Sequence, residues 1–222
     1  MIGLNFTQVK KEENTSMKIS YAITVCNEKK EVKRLIDFLL ANKRQQDEIV
    51  ILYDQKNGDE EVATMLTKFN KLPNVQFWRG FFEGHFADWK NKLNEYCSGD
   101  YIFQIDADEI PNSNLIKYLP TIIEENSIDI MLVPRVNTVE GLTPEHIQKW
   151  KWRVDNKGWV NWPDFQWRIF KNDPNIKWKN KVHEQLEGYK TYSTLPPMED
   201  WALYHPKTID KQEKQNNYYD TL

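Results

Sequence analysis

Short apolar runs alternate with amphipathic segments through the first 133 residues, and no other feature of the chain restricts its fold as much. Residues 18–26, 48–53, 75–78, 101–105 and 129–133 read as strands, each short and rich in β-branched or aromatic side chains. Helical patterns separate them. Residues 29–41 place Val32, Leu35, Ile36 and Leu39 on one face, Asp59 can cap a helix running to Asn70, and residues 87–96 and 114–125 continue the series. This alternation predicts an α/β fold, with a central and mostly parallel sheet flanked by helices. Ligands of such folds gather at the carboxyl ends of the strands.

Those strand ends carry polar groups. The run Tyr101-Ile-Phe-Gln-Ile-Asp-Ala-Asp-Glu109 is apolar until Asp106, Asp108 and Glu109 close it. Alternate residues of an extended segment share a face, so Asp106 and Asp108 face the same way, and a divalent ion between them would offset their repulsion and desolvation. The plainer alternative is a solvated loop that leads into a turn. The first strand runs into Thr24, Cys26, Asn27 and Glu28, and the second into Asp54, Lys56, Asn57 and Gly58. Each group alone is ordinary turn chemistry, but three together point to a site. No glycine-rich phosphate loop is present, which argues against a dinucleotide-binding dehydrogenase or a P-loop nucleotide hydrolase.

Composition narrows the partners. The formal charge is −3 and no long block of Lys or Arg occurs, so neither a nucleic-acid groove nor a membrane-surface patch is indicated. Cys26 and Cys97 lack metal-ligand spacing and read as buried free thiols, which suits a reducing, cytoplasmic location. No transmembrane segment is apparent, and residues 1–16 are too polar for a signal peptide. Residues 1–17 read as a flexible extension. Residues 18–222 read as a single domain in two parts that meet near residue 135.

The ordered set Ile23-Thr-Val-Cys-Asn-Glu28, Ile49-Val-Ile-Leu-Tyr-Asp54, Asp88-Trp-Lys-Asn-Lys-Leu-Asn94 and Ile105-Asp-Ala-Asp-Glu109 resembles the family 2 glycosyltransferases of GT-A fold. Gln166-Trp-Arg-Ile-Phe170, Ile176-Lys-Trp178 and Val182-His-Glu184 resemble the second half of that family. The resemblance implies a nucleotide-diphosphate sugar donor and Mn2+ or Mg2+ bridging its diphosphate. By position it lays Thr24, Asn27, Glu28 and Ala107 along the nucleotide, with Asp54 at the base edge. Asp106 would meet the ribose or a metal-bound water, and Asp108 would hold the metal, with His183 completing the shell. Lys90 or Lys92, with Lys92 favoured, would add charge where the family more often has Arg. The chain lacks the Gln-x-x-Arg-Trp sequence of processive membrane synthases.

An inverting transfer also needs a base for the acceptor hydroxyl. Glu184 is the first candidate, Asp164 the second and Glu109 the third. Six of the nine tryptophans fall between residues 146 and 178, and indole faces stack on sugar rings, so Trp159 and Trp162 are candidate acceptor contacts. Arg168 is a candidate for phosphate or acceptor. A helix after Pro206 would bring His205 and Lys211 over the diphosphate. The acceptor is left open among glycan, lipid-linked and protein hydroxyls, and UDP-sugars are the default donor. A sugar-nucleotide nucleotidyltransferase and a non-catalytic carbohydrate-binding protein are the alternatives.

Overall fold

Strand β1 (Ile19–Val25) shows how the sheet is built: Ile19, Tyr21, Ile23 and Val25 pack on one face and Ala22 on the other. The structure is a computed structural model and describes residues 1–4 and 16–219, without the side chains of residues 218 and 219. After β1 come α1 (Lys29–Asn42), β2 (Glu48–Asp54), α2 (Glu60–Phe69), β3 (Val75–Gly80), α3 (Phe86–Asn94) and β4 (Tyr101–Asp106). The expected alternation is present, with ends displaced by a residue or two. A short β5 (Ile110–Pro111) and α4 (Ser113–Asn126) follow, then β6 (Ile130–Glu140), α5 (Pro144–Trp150) and β7 (Val160–Lys171). The chain continues through β8 (Lys177–Lys179), β9 (Gln185–Glu187), β10 (Tyr192–Thr194), β11 (Leu203–Thr208) and α6 (Ile209–Tyr219).

The main sheet has the order β3-β2-β1-β4-β7-β6-β11-β5, and β10 pairs with β6. Strands β1 to β4 pair in parallel, whereas β7 runs antiparallel between β4 and β6 and joins the two halves of the chain in one sheet. Helices α1, α2 and α4 bury Leu35, Leu66 and Leu119 in one core, while Trp89 and Leu93 of α3 pack with Trp178 and Leu186 of the β8–β9 hairpin on the other face. At the amino ends of the strands the buried Glu48 accepts from Ser20 Oγ at 2.6 Å and Lys18 Nζ at 2.7 Å, so that end is held by internal polar contacts.

The structure adds detail to three expectations. Pro206 lies inside β11 and the helix begins only at Ile209, because β11 continues along β6 through Thr208 after its pairing with β5 has ended at Tyr204. Cys97 is buried, but Cys26 is only half buried and stands on a cleft wall. Most of the extension expected over residues 1–17 lies outside the described residues, and the Ile2 amide donates to Tyr192 O at 3.1 Å.

Candidate active site

The carboxyl ends of β1, β2 and β4 open onto a single cleft of about 1090 Å3. Parallel pairing sets Thr24 beside Asp106, the last residue of β4. The loop after β1 is self-bonded: Glu28 Oε2 accepts from the Cys26 and Asn27 amides at 3.0 Å each, and Asn27 Oδ1 accepts from the Asp59 amide at 2.8 Å. The loop after β2 is equally tied. Asp54 Oδ1 accepts from Lys56 N at 3.0 Å and Phe82 N at 3.2 Å, and its Oδ2 accepts from Asn57 Nδ2 at 2.7 Å. Gly58 closes this turn, since a Cβ there would fall 2.5 Å from Asp54 O and 2.4 Å from the Tyr53 ring.

A chain of charged groups crosses the cleft floor. Arg168 Nη2 donates to Asp106 Oδ2 at 2.5 Å and to Glu109 Oε1 at 2.9 Å. Glu109 is fully buried, accepts also from Arg135 Nη1 at 3.0 Å, and so cannot reach an acceptor; the role of base considered for it is set aside. Burial alone would raise its pKa, but the Arg168 and Arg135 guanidiniums hold it well below the usual carboxylate range. Pairing of β6 with β7 sets Arg135 opposite Asp164, and both Nε and Nη2 of that arginine donate to Asp164 Oδ2, at 2.9 and 2.7 Å. Asn137 adds a third bond to that oxygen at 2.8 Å, and Gln166 donates to Oδ1 at 2.8 Å. Burial opposes the charge on Asp164, yet Arg135 and Asn137 outweigh it and lower its pKa.

Pairing of β11 with β6 then sets His205 beside Asn137. His205 Nδ1 lies 2.9 Å from Asn137 Oδ1, and its Nε2 lies 3.3 Å from Asp108 Oδ2. Lys211 Nζ of α6 stands 3.1 Å from the same oxygen. Burial works against the Asp108 charge, but His205 and Lys211 prevail and keep its carboxyl far below the ordinary range.

The chain matches the model of glycosyl transferase family 2 over residues 20–194. It belongs to that family. Glycosyltransferase SunS of Bacillus phage SPbeta and the SPbeta prophage-derived glycosyltransferase SunS of Bacillus subtilis (strain 168) are each 25% identical to it over 197 residues. The match covers 87% of this chain but 40% of either relative. Among solved structures, S. aureus TarS 1-349 superposes with a TM-score of 0.60 at 17% identity, over 86% of this chain and 60% of TarS 1-349. TarS 1-349 in complex with UDP-GlcNAc gives a TM-score of 0.60 at 19% identity, over 86% and 59%. These structures share the fold, a mostly parallel sheet between helices.

Within this family 2 chain, most of the residues singled out from the sequence line the one cleft: Thr24, Asn27, Glu28, Asp54, Asp106, Ala107, Asp108, Asp164, Arg168, His183, Glu184, His205 and Lys211. Three do not. Lys90, two residues earlier on α3, lines the wall in place of Lys92, whose Nζ lies 3.2 Å from the Cβ position at Gly80. Trp159 and Trp162 pack on each other at 4.9 Å, and the indoles on the wall are Trp89, Trp152, Trp167 and Trp178. Arg168 is not a free phosphate ligand, being buried between Asp106 and Glu109. Lys90 and Arg135 also line the cleft; Lys90 is legible in the sequence as the alternative to Lys92, whereas Arg135 gives no local signal.

The donor set suits a divalent cation whose shell a ligand must complete. Asp108 Oδ1 accepts no hydrogen bond from a described residue, and a carboxylate with a neighbouring imidazole is acceptable to Mn2+. The imidazole beside Asp108 is that of His205. His183 faces the cleft from the β8–β9 turn, where its φ is 54°. Asp106 is already neutralised by Arg168, and among the described residues no three His, Cys, Asp or Glu form a ready cage. No described helix is long and apolar enough to cross a membrane.

Proposed function

We propose that this chain moves one sugar from a nucleoside-diphosphate donor to an acceptor hydroxyl, with inversion at the anomeric carbon. The observation that carries this reading is the meeting, in one cleft, of the β1, β2 and β4 carboxyl ends with Glu184, Asp164 and two indoles of the β7 side. Thr24, Asn27, Glu28, Asp54, Asp106 and Ala107 lie along the nucleotide. UDP is the first nucleotide to test, because TarS has been solved with UDP-GlcNAc and with UDP. Asp108 with His205 would hold Mn2+ or Mg2+, and His183, which also lines the cleft, is the candidate to complete the shell. Such an ion supplies positive charge where the departing diphosphate becomes more negative.

Glu184 is the base in this reading. Its nearest cation is Lys90 Nζ at 3.6 Å, and its oxygens accept no hydrogen bond from a described residue, so it is free to receive a proton. The acceptor oxygen loses that proton to Glu184 and bonds to the anomeric carbon as the bond to the diphosphate oxygen breaks, the electron pair leaving with the nucleoside diphosphate. Asp164 serves instead to orient acceptor groups, since four hydrogen bonds and a lowered pKa make it a weak base. Trp152 and Trp167 offer ring faces to a glycan, lipid-linked or protein acceptor. The free thiols favour work in the cytoplasm.

Incubation with UDP-sugars and Mn2+ tests the reading: one UDP-sugar should release UDP faster once a cell-extract glycan fraction is added. A complete panel of UDP-, GDP-, CDP- and ADP-sugars that yields no nucleoside diphosphate would contradict it.

A further inference from the structure

Helix α6 is held over the cleft by charge more than by apolar burial. None of its described side chains is buried, and Lys211, Gln212, Lys214 and Gln215 line the cleft. Its foot rests on Gly141, where an added Cβ would come within 3.1 Å of Ile209 Cγ2. Beyond that foot its described ties are polar: Lys211 to Asp108 at 3.1 Å, Glu213 to His146 at 3.7 Å, and a hydrogen bond between Lys207 and Gln215. Burial disfavours the Lys211 ammonium, but Asp108, and then Glu31 and Glu28, more than restore its charge. The carboxylate best suited to a divalent ion therefore already carries a monovalent cation, mounted on the first turn of a lightly packed helix. An ion on Asp108 and an ammonium 3.1 Å from its Oδ2 would repel each other at short range in a partly desolvated site.

We propose that Lys211 is the resting counter-cation of Asp108 and that a divalent cation displaces it, so that filling the cation position releases the first turn of α6. The proposal rests on the reading of Asp108 as the cation-binding carboxylate. It differs from a role for Lys211 as a permanent diphosphate ligand, because it requires the lysine and the ion to exclude each other before any nucleotide is present.

The test uses Mn2+ alone, titrated calorimetrically into the full chain and its Lys211→Met, Lys211→Arg and Asp108→Asn variants, with hydrogen exchange of α6 followed in parallel. Lys211→Met should bind Mn2+ about tenfold more tightly than the natural chain, and Lys211→Arg should stay near it. Mn2+ should speed exchange over residues 209–217 in the natural chain and leave it unchanged in Lys211→Met, whose helix is already released. Equal Mn2+ affinity with and without the lysine, or slower exchange in α6 on adding Mn2+, overturns the proposal while leaving the cation site intact. Undiminished binding to Asp108→Asn, or no binding by any variant, instead removes the reading of Asp108 and the proposal with it.

Discussion

Glu184 and Asp164 differ in what their oxygens already hold, and the roles proposed for them rest on that difference. Glu184→Gln should preserve nucleotide binding while turnover falls by about 10²- to 10⁴-fold, the usual contribution of a positioned base. Asp164→Asn keeps the shape but loses the ionic half of the Arg135 contact, so its main effect should be a higher acceptor KM. Steady-state kinetics of the two variants separate these outcomes, and a collapse of turnover confined to Asp164→Asn would reverse the assignment. Asp108→Ala should abolish metal-dependent nucleotide binding; unchanged Mn2+-dependent affinity in that variant would sink the metal assignment. His205 enters this account through a contact that no local pattern announces. Its imidazole meets Asp108 only because β11 pairs with β6, across a separation of 97 residues.

At the level of elements, the turns after the strands place the site and the buried ion pairs brace it. Gly58→Ala should displace Asp54 and weaken nucleotide binding, because the new methyl group must push against backbone and the Tyr53 ring. Titration of the variant with UDP checks this, and unaltered affinity would mean that the turn yields without moving Asp54. Glu109→Gln leaves the buried Arg168 and the part-buried Arg135 short of one counter-charge and should cost about 3 kcal/mol of stability, read from denaturant unfolding. The alternation of β1 to β4 with α1 to α3 was legible because its apolar periods are strong and local. Strand β7 holds Asp164 beside Pro163 and opposite Arg135, a placement that no local pattern announces. Strand β11 was hidden by Pro206, a residue that an edge position tolerates. The carboxylates at the strand ends were visible as candidates, but their cationic partners were not, since Arg168–Asp106 and Arg135–Glu109 form only when the sheet closes.

For the whole molecule, the two ends of the sheet divide the work. The amino ends bury Glu48 among its donors, while the carboxyl ends gather Asp106, Asp108 and Asp164 around one cleft, with Glu109 buried behind them. Glu48, Asp108, Glu109 and Asp164 all have pKa values below their ordinary ones. Depressed carboxyl pKa values give stability that is complete above the unfolded values, about 4, and that is lost as pH falls through the folded ones. The melting temperature should thus hold steady from neutral pH to about 5 and decline below about 4. In Glu109→Gln, stability at neutral pH should be lower and the acid decline shallower, and thermal unfolding across pH checks both. The central claim, a cleft built for the nucleoside diphosphate of a sugar donor with a divalent ion, is met most directly by calorimetric titration of UDP, GDP, CDP and ADP into the protein, each with Mn2+ and again with EDTA. The account predicts that one nucleotide, UDP first among them, binds with Mn2+ and loses that binding in EDTA; failure of all four to bind with Mn2+ present would contradict it.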